Sequence, residues 1–523
     1  MFAVFEPAHA IAGATFPVPK HRYRPRRRGL RAEPTTCCSC RTNESSSVRS
    51  PDGTPGTSAS AAGSERLVTG NVMRELRNDF WRNLRNDVTA GRQWRDRAVV
   101  LTYAVVTGLV VVAFTLLAEV ASKGFEGVVQ FGAIGPWLPL LWTPALTVAL
   151  LWWTRRFAPG AQGSGIPQVV AALDDGLPQA ERSRLVSLRL SVEKVLLVSG
   201  GLLAGLSIGR EGPTVQVGAG VMQHARRWLS PHSGIDAHDL IVAGAAAGIA
   251  AAFNTPLGGV IFALEQLSRR RSFSHSGLVI ISIVLAGLVA VSAFGNLSYF
   301  GELQAQQPSW AMLGPGVLIA LVSGLAGGLF SRLIVASAKG LPDRFSQWRT
   351  HYPLRFAAGC GLAVAVIGIV SGGATVGAGY APTRELLEGH GELPATYTWL
   401  KFCATWLSAW SGVPAGVFAP SLAIGAGIGR DVALLTGFSA DAAIPLIALG
   451  MVGFLAATTQ GPLTAFIIVM EMVAGHAMVL SLMATAFLAS GVARWITPPM
   501  YVELAALLMP PGLPRASPRM ENP

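Results

Sequence analysis

The feature that most limits the fold of this chain is a series of long segments without charge. Residues 98–118 form an uncharged run of 21, and comparable runs recur at 240–264, 276–301 and 311–331. About 20 apolar residues in a helix cross a hydrocarbon core of about 30 Å. Only 13% of the 523 residues are charged, roughly half the share of a typical soluble protein. These runs predict an all-α, multi-pass integral membrane protein.

The segment before the first run is basic. Residues 1–97 hold 17 Lys and Arg against 9 Asp and Glu. Residues 1–72 lack helical or strand periodicity and predict a disordered arm, whereas 73–97 predict a basic juxtamembrane segment. The bias of Lys and Arg toward the cytoplasm predicts a cytoplasmic N-terminus, with membrane lipids rather than nucleic acid as the arm's partner. Met73 is an alternative start to Met1.

The five cysteines predict neither a disulfide framework nor a metal site. Cys37, Cys38 and Cys40 crowd together in the arm, and Cys360 and Cys403 lie alone in apolar stretches. No His or further Cys stands near the first three at the spacing that zinc needs. The role of that cluster stays open.

The chain repeats itself. Residues 209–220 and 416–427, offset by 207, both read Gly, three residues, Pro, and later Gly-Ala-Gly. Residues 256–265 and 462–471, offset by 206, both begin with Pro-Leu and end with Glu. Such internal similarity indicates a duplicated architecture.

A third, looser match pairs residues 163–167 with 377–382. We therefore predict two repeat halves, 98–300 and 301–508, and a short tail, 509–523. The residues alone do not decide whether the halves run parallel or inverted, because that depends on an uncertain count of short spans.

Gly and Pro interrupt many of the apolar segments. Broken backbone survives at membrane depth only where protein buries it or a polar cavity wets it. The motifs at 163–167, 209–213 and 416–420 each read as a Gly-rich turn, a Pro and an apolar run, which predicts a helix beginning at the Pro. Unpaired N–H groups and the positive end of the helix dipole would then face one spot. The motifs thus predict an anion site.

The polar groups near these motifs favour a small monovalent anion. The Ser164 hydroxyl, the Tyr501 phenol and backbone N–H groups offer only partial charges, which hold an ion without trapping it. A nucleotide is disfavoured because no GxxxxGK[ST] cradle is present, and no cofactor is expected. On another interpretation, Tyr501 is an aromatic belt residue at the membrane surface. A membrane-embedded enzyme is a remote alternative, since no His or Asp constellation accompanies Ser164.

Glu211 is the one acid inside these motifs. Its carboxylate at a helix start would compete with an anion, so we predict a gate, with a simple capping acid as the alternative. Glu265 and Glu471 are equivalent in the two halves, which favours a structural role over a proton path. Arg210 and Lys194 would add positive potential, unless Lys194 forms an interfacial ion pair.

The three motifs, in this order, resemble those of the CLC family of chloride channels and chloride/proton exchangers over about residues 98–508. The resemblance implies a homodimer in a bacterial inner membrane, with one pathway per subunit between two inverted halves of tilted and broken helices. Only 22 residues follow Tyr501, so the paired CBS domains of many eukaryotic members are not expected.

The resemblance also implies roles for individual residues. Ser164 and Tyr501 would contact a central chloride ion, with the backbone N–H groups of Val417 and Phe418 opposite, and Glu211 would exchange places with the anion. Chloride is favoured over nitrate because nitrate-preferring members usually have Pro where this chain has Ser164. The supporting residues would be Arg210, Gly212, Gly165 and Ile166.

One position departs from the exchanger pattern. Gln266 stands where well-coupled exchangers have an inner glutamate, and an amide does not bind and release protons near neutral pH. Glu265 is adjacent but points about 100° away on a helix. The proton-path candidates are therefore Glu211, Glu265 and Gln266. We predict passive or weakly proton-coupled chloride transport, with a fully coupled chloride/proton antiporter as the alternative and enzymatic activity not expected.

Overall fold

The structure is a computed structural model. It describes the residues numbered 91–231, 233–268, 276–295, 300, 310–340, 343–389 and 393–510. The arm predicted at 1–72, its cysteine cluster and most of the tail lie outside the described residues. Of the juxtamembrane segment, residues 91–97 are described, and they are helical and continuous with the first span.

Regular structure in the described residues is helical, as the apolar runs predict. The first half contributes nine helices to the described part: α1 (Gly91–Val129), α2 (Pro139–Phe157), α3 (Ile166–Ala172), α4 (Gln179–Leu185), α5 (Leu188–Leu203), α6 (Glu211–His224), α7 (Ala237–Phe253), α8 (Pro256–Phe262) and α9 (Ser276–Phe294). A single π-helical turn, Ala263–Leu267, continues α8.

The second half repeats the mixture of long and short elements. Its described residues form α10 (Leu313–Lys339), α11 (Arg344–His351), α12 (Pro353–Val370), α13 (Tyr380–Leu387), α14 (Tyr397–Trp410), α15 (Phe418–Leu435), α16 (Ala440–Thr459), α17 (Pro462–Met472), α18 (Val479–Arg494) and α19 (Met500–Ala506).

Seven helices in the described ranges are long and apolar enough to cross a membrane. Others are too short: α6 has 14 residues and rises about 21 Å, less than a hydrocarbon core. The run at 240–264 is broken where Asn254 takes a left-handed conformation, φ 58°, and α8 restarts at Pro256. The equivalent break lies at Gln460, φ 50°, before α17. Both halves therefore interrupt the same element.

The inner helices of each half pack by direct backbone contact. Gly218 on α6 lies against the carbonyl of Gly244 on α7, and Gly425 on α15 lies against the carbonyl of Gly450 on α16. Neither contact leaves room for a Cβ atom, because small residues let helix backbones approach closely. Almost every residue of α6, α7 and α15 is buried. These helices form a rigid centre that carries the motif turns.

The motif prolines stand slightly later than the sequence predicts. Pro213 and Pro420 are the third residues of α6 and α15, and Pro167 is the second residue of α3. The expectation of Pro at the first position is therefore wrong. The physical reason is that every N–H of the first turn lacks an intrahelical partner, so Pro costs little at any of these positions.

Candidate anion pathway

The three motif turns meet at one place. The N–H of Gly209 donates to the Gly416 carbonyl at 2.7 Å, and the N–H of Gly416 donates to the Gly209 carbonyl at 3.2 Å. The N–H of Ala415 donates to the Gly163 carbonyl at 3.2 Å. These bonds tie the beginnings of α3, α6 and α15 to one another, as an anion site built from helix starts requires.

Ser164 and Tyr501 face each other beside the start of α6. Both side chains are buried, and the Tyr501 phenol interacts with Ser164 and with Glu211. A Cβ atom built on Gly212 would lie 2.5 Å from Ser164 Oγ, so the α6 backbone borders the hydroxyl. Neither hydroxyl makes a hydrogen bond of good geometry with a described residue. The alternative of a belt tyrosine at the membrane surface is therefore wrong, because α19 carries Tyr501 inward.

Val417 and Phe418 begin α15, directly after the turn at Gly416. Val417 is the N-cap residue and Phe418 the first helical residue, so the N–H groups of this first turn have no intrahelical acceptor. The Phe418 ring packs on Phe253 at a centroid distance of 5.2 Å. Aromatic packing thus fixes the orientation of the α15 start.

Gly165 uses its backbone N–H within its own helix. Its N–H donates to Gln168 Oε1 at 3.0 Å, within the first turn of α3. Gly165 is required for space instead: its φ is +106°, and a Cβ atom there would lie 2.8 Å from the Gly212 carbonyl oxygen. Ile166, the first helical residue, is fully buried behind it.

Glu211 is fully buried at the junction of both halves. Its Oε1 accepts a hydrogen bond from the Tyr380 phenol, and its carboxylate interacts with the backbone N–H of Ala419 on α15. A Cβ atom on Gly209 would lie 2.5 Å from Glu211 Oε2, so the turn leaves room only for the carboxylate. The acid thus begins α6 but points at the start of α15 in the other half.

Arg210 provides the nearest positive charge. Its Nε lies 3.8 Å from Glu211 Oε1, its Nη1 lies 3.8 Å from Glu119 Oε1, and its Nη1 donates to the Thr115 carbonyl at 3.2 Å. The guanidinium also lies over the Tyr380 ring, 5.4 Å from the centroid. Arg210 therefore lies beside the Glu211 carboxylate and also reaches Glu119 on α1.

Two buried lysines, one in each half, hold equivalent loops. Lys194 Nζ donates to the carbonyls of Ala161 and Gly163 at 2.6 Å each. Lys194 is therefore not an interfacial ion pair; Glu193 instead accepts from Trp153 Nε1 at 2.8 Å.

Lys401, 207 residues after Lys194, donates in the same way to the carbonyls of Thr375 and Gly377 at 2.9 and 2.8 Å. Neither Lys401 nor Tyr380 was predicted as a functional residue from the sequence. The repeat offset pointed to the lysine, and the looser motif at 377–382 contains the tyrosine.

Glu265 and Glu471 cap helices in the opposite halves. Glu265 accepts from the N–H groups of Leu463 and Thr464, at 3.0 and 2.7 Å, at the start of α17. Glu471 accepts from those of Leu257 and Gly258, at 3.2 and 2.6 Å, at the start of α8. Backbone N–H contacts of this kind are what a structural role for the two glutamates predicts.

Gln266 lies beside Glu265 on the π-helical turn. Its side chain is buried, and its Nε2 lies against the Cα of Gly461, where no Cβ atom would fit. The π turn places both neighbouring side chains at the beginning of α17, because it widens the helix locally. This turn therefore holds the neutral amide of Gln266 beside the capping carboxylate of Glu265.

Comparisons with known proteins identify a family and several relatives. A family model described as voltage gated chloride channel matches residues 145–494. The chain is 30% identical to the H(+)/Cl(-) exchange transporter ClcA of Vibrio parahaemolyticus over 71% of this chain and 81% of the relative, and 32% identical to that of Vibrio cholerae over 67% and 76%.

Solved structures share the fold. A slow cyanobacterial Cl-/H+ antiporter superposes with a TM-score of 0.68 at 24% identity, covering 79% of this chain and 98% of that one. A eukaryotic CLC transporter superposes with a TM-score of 0.63 at 20% identity, covering 79% and 74%.

Proposed function

Because this chain belongs to the voltage-gated chloride channel family, the CLC family, we propose that it moves chloride across a membrane through an anion pathway gated by Glu211. The fold is the all-α CLC-type bundle of inverted repeats in an integral, multi-pass membrane protein. In the proposed pathway, chloride rests near Ser164 and Tyr501, and the first-turn amides of α15 face it.

One observation carries this proposal: the starts of α3, α6 and α15 are hydrogen-bonded to one another around a buried carboxylate. Helix starts attract anions through unpaired N–H groups and the helix dipole. The Glu211 carboxylate at the same amides is a built-in competitor for chloride. When a proton neutralises the acid, or chloride displaces it, the pathway opens.

We propose passive or weakly proton-coupled transport on the basis of the inner position. Gln266 is a neutral amide, and both Glu265 oxygens accept backbone N–H bonds. Protonating Glu265 would weaken the hydrogen bonds that its carboxylate accepts from the N–H groups at the start of α17. This position is therefore a poor relay for protons from the inner side.

Fully coupled chloride/proton exchange is the second candidate. The relatives from both Vibrio species are named H(+)/Cl(-) exchange transporters, and the cyanobacterial structure is a Cl-/H+ antiporter. On this alternative, Glu265 or water carries the proton past Gln266. The partners are then chloride and protons.

The assembly and location are further parts of the proposal. We propose a homodimer with one pathway per subunit, in a bacterial inner membrane, with the N-terminus cytoplasmic. The named relatives are bacterial, and the basic side chains around 91–97 precede the first span. Chloride is the bound ion, and no cofactor is required.

A liposome experiment tests the function and its coupling together. Purified protein is reconstituted with a chloride gradient and valinomycin, and external chloride and pH are recorded simultaneously. We expect chloride efflux with little uphill proton movement. Sustained proton pumping at a fixed ratio would favour the antiporter, and absence of protein-dependent chloride flux would refute the transport function.

A further inference from the structure

The Tyr380 phenol forms a contact with Glu211 that links the two halves. Tyr380 begins α13, 169 residues after the acid, and donates its hydroxyl proton to Glu211 Oε1. From this contact we infer that Tyr380 is a latch, a positioning residue that holds the Glu211 carboxylate in the pathway and sets the pH at which the gate opens. The inference rests on the proposed function, since it concerns the same gate.

The structure around Tyr380 fixes the phenol in place. Lys401 Nζ holds the carbonyls of Thr375 and Gly377 ahead of α13, and the N–H of Gly377 donates to the Leu206 carbonyl at 3.1 Å. The turn before the gate and the turn before the phenol are therefore joined directly. A phenol held from its backbone loses little entropy when it forms the hydrogen bond.

The Tyr380 ring also contacts two neighbouring side chains. The Arg210 guanidinium lies 5.4 Å from its centroid, and the Phe300 ring lies 6.1 Å away. Arg210 on the ring leaves the hydroxyl directed at the carboxylate. Both interactions are stronger with a carboxylate than with a neutral carboxyl, because a charged acceptor strengthens an ion pair and a hydrogen bond.

The equivalent loops of the two halves carry different side chains. Residues 163–167 and 377–382 are the loosely matched motifs, and a buried lysine binds the carbonyl of the first glycine of each. In the first half this loop presents the Ser164 hydroxyl. In the second half it presents a phenol to the acid instead. The loop of the first half thus carries a hydroxyl that would contact the anion, and the loop of the second half carries a hydroxyl that contacts Glu211, the proposed competitor of the anion.

In the described part of the chain, the charged and titratable groups that face Glu211 come from three elements. Arg210 precedes it on the same turn, Tyr380 donates from α13, and Tyr501 on α19 interacts with it electrostatically. Glu119 on α1 contacts Arg210. Removing the Tyr380 hydroxyl leaves Arg210, Tyr501 and the Ala419 amide in place, so the change isolates one hydrogen bond.

The test compares chloride flux across acidic and neutral pH for the full chain and for Tyr380→Phe in liposomes. Without the hydroxyl, the carboxylate loses a charge-assisted hydrogen bond, and protonation opens the gate more readily. We expect the flux curve to move to higher pH by about one unit. Tyr103→Phe is the matched control, because it removes a part-buried hydroxyl bonded to His224 Nδ1 at 2.9 Å, at the far end of α6.

Further measurements separate the outcomes. In a Glu211→Gln background, Tyr380→Phe should shift nothing more, and chloride should bind Tyr380→Phe more tightly in calorimetry because its competitor is weakened. The proposed role of Tyr380 is overturned if Tyr380→Phe leaves the curve of chloride flux against pH unchanged or moves it to lower pH. It is also overturned if Tyr380→Phe causes an equal shift in the Glu211→Gln background. Absence of chloride flux from the unaltered protein would instead refute the proposed function.

Discussion

Gly209 and Gly416 stand at the same place in the two halves, and each donates its backbone N–H to the carbonyl of the other. A residue that pairs reciprocally with its own repeat counterpart lies beside the local two-fold axis that relates the halves. The glutamate caps obey the same symmetry, since Glu265 and Glu471 exchange equivalent contacts. The turn that carries Glu211 therefore lies at this axis, where both halves contribute backbone.

Replacing the gate should abolish its response to protons. Glu211→Gln is expected to give chloride flux that no longer varies with pH, because the amide neither ionises nor competes as an anion. Flux from liposomes at several pH values measures this. Glu126→Gln, which changes an exposed acid on α1, is the control. Persistent pH dependence in the Glu211 variant would refute the gate assignment.

Changing Ser164 should alter which anion is preferred. Ser164→Pro is expected to raise the nitrate-to-chloride flux ratio several-fold, since the proline removes the hydroxyl that would donate to chloride. Ser199→Ala removes another buried hydroxyl without a hydrogen-bond partner, on α5, and should leave the ratio unchanged. Competing flux assays give the ratio. An unaltered preference in Ser164→Pro would remove Ser164 from the proposed site.

A methyl group on Gly212 should obstruct the pathway. Its Cβ atom would lie 2.5 Å from Ser164 Oγ, closer than these atoms can approach. We expect Gly212→Ala to reduce chloride flux at least about tenfold, equivalent to a barrier increase of about 1.4 kcal/mol. Gly491→Ala on α18 meets no atom within 4 Å and serves as the matched control. Equal flux from both variants would contradict the assigned position of the pathway.

The inner position should control proton coupling. Gln266→Glu is expected to increase the number of protons moved per chloride, because it introduces a titratable group at the position where coupled relatives are expected to carry one. The same liposome assay records both ions. Gln347→Glu, on an exposed face of α11, tests for a general effect of added charge. If coupling is already complete before the change, the weakly coupled mechanism is wrong.

The reciprocal caps should contribute to stability. Glu471→Gln weakens two hydrogen bonds to the α8 start and is expected to cost about 1.5–3 kcal/mol, because a charged acceptor is lost. Glu265→Gln should cost a similar amount at α17. Thermal unfolding followed by tryptophan fluorescence measures both, against the exposed Glu385→Gln. If Glu265→Gln abolished proton coupling while leaving stability unchanged, Glu265 would be a proton carrier and not a cap.

Much of this protein is determined by local properties of the chain. Apolar run lengths predicted the spanning helices α1, α9 and α10, and the repeated Gly and Pro pattern predicted to within about two residues where helices restart, because both depend on neighbouring residues. The motif around Glu211 also indicated that its carboxylate stands at a helix start, where it would compete with an anion. The arrangement of the two halves required the family resemblance, since short helices obscure the number of crossings.

Only the tertiary structure decided which polar groups meet. Tyr380 reaches an acid 169 residues away, and Gln168 accepts the N–H of Gly165 at the start of α3. Lys194 binds loop carbonyls instead of an acid. Each outcome depends on helix tilt and on close glycine contacts between distant segments. Hydropathy and spacing do not encode those angles, so the partners of each buried polar group followed from packing.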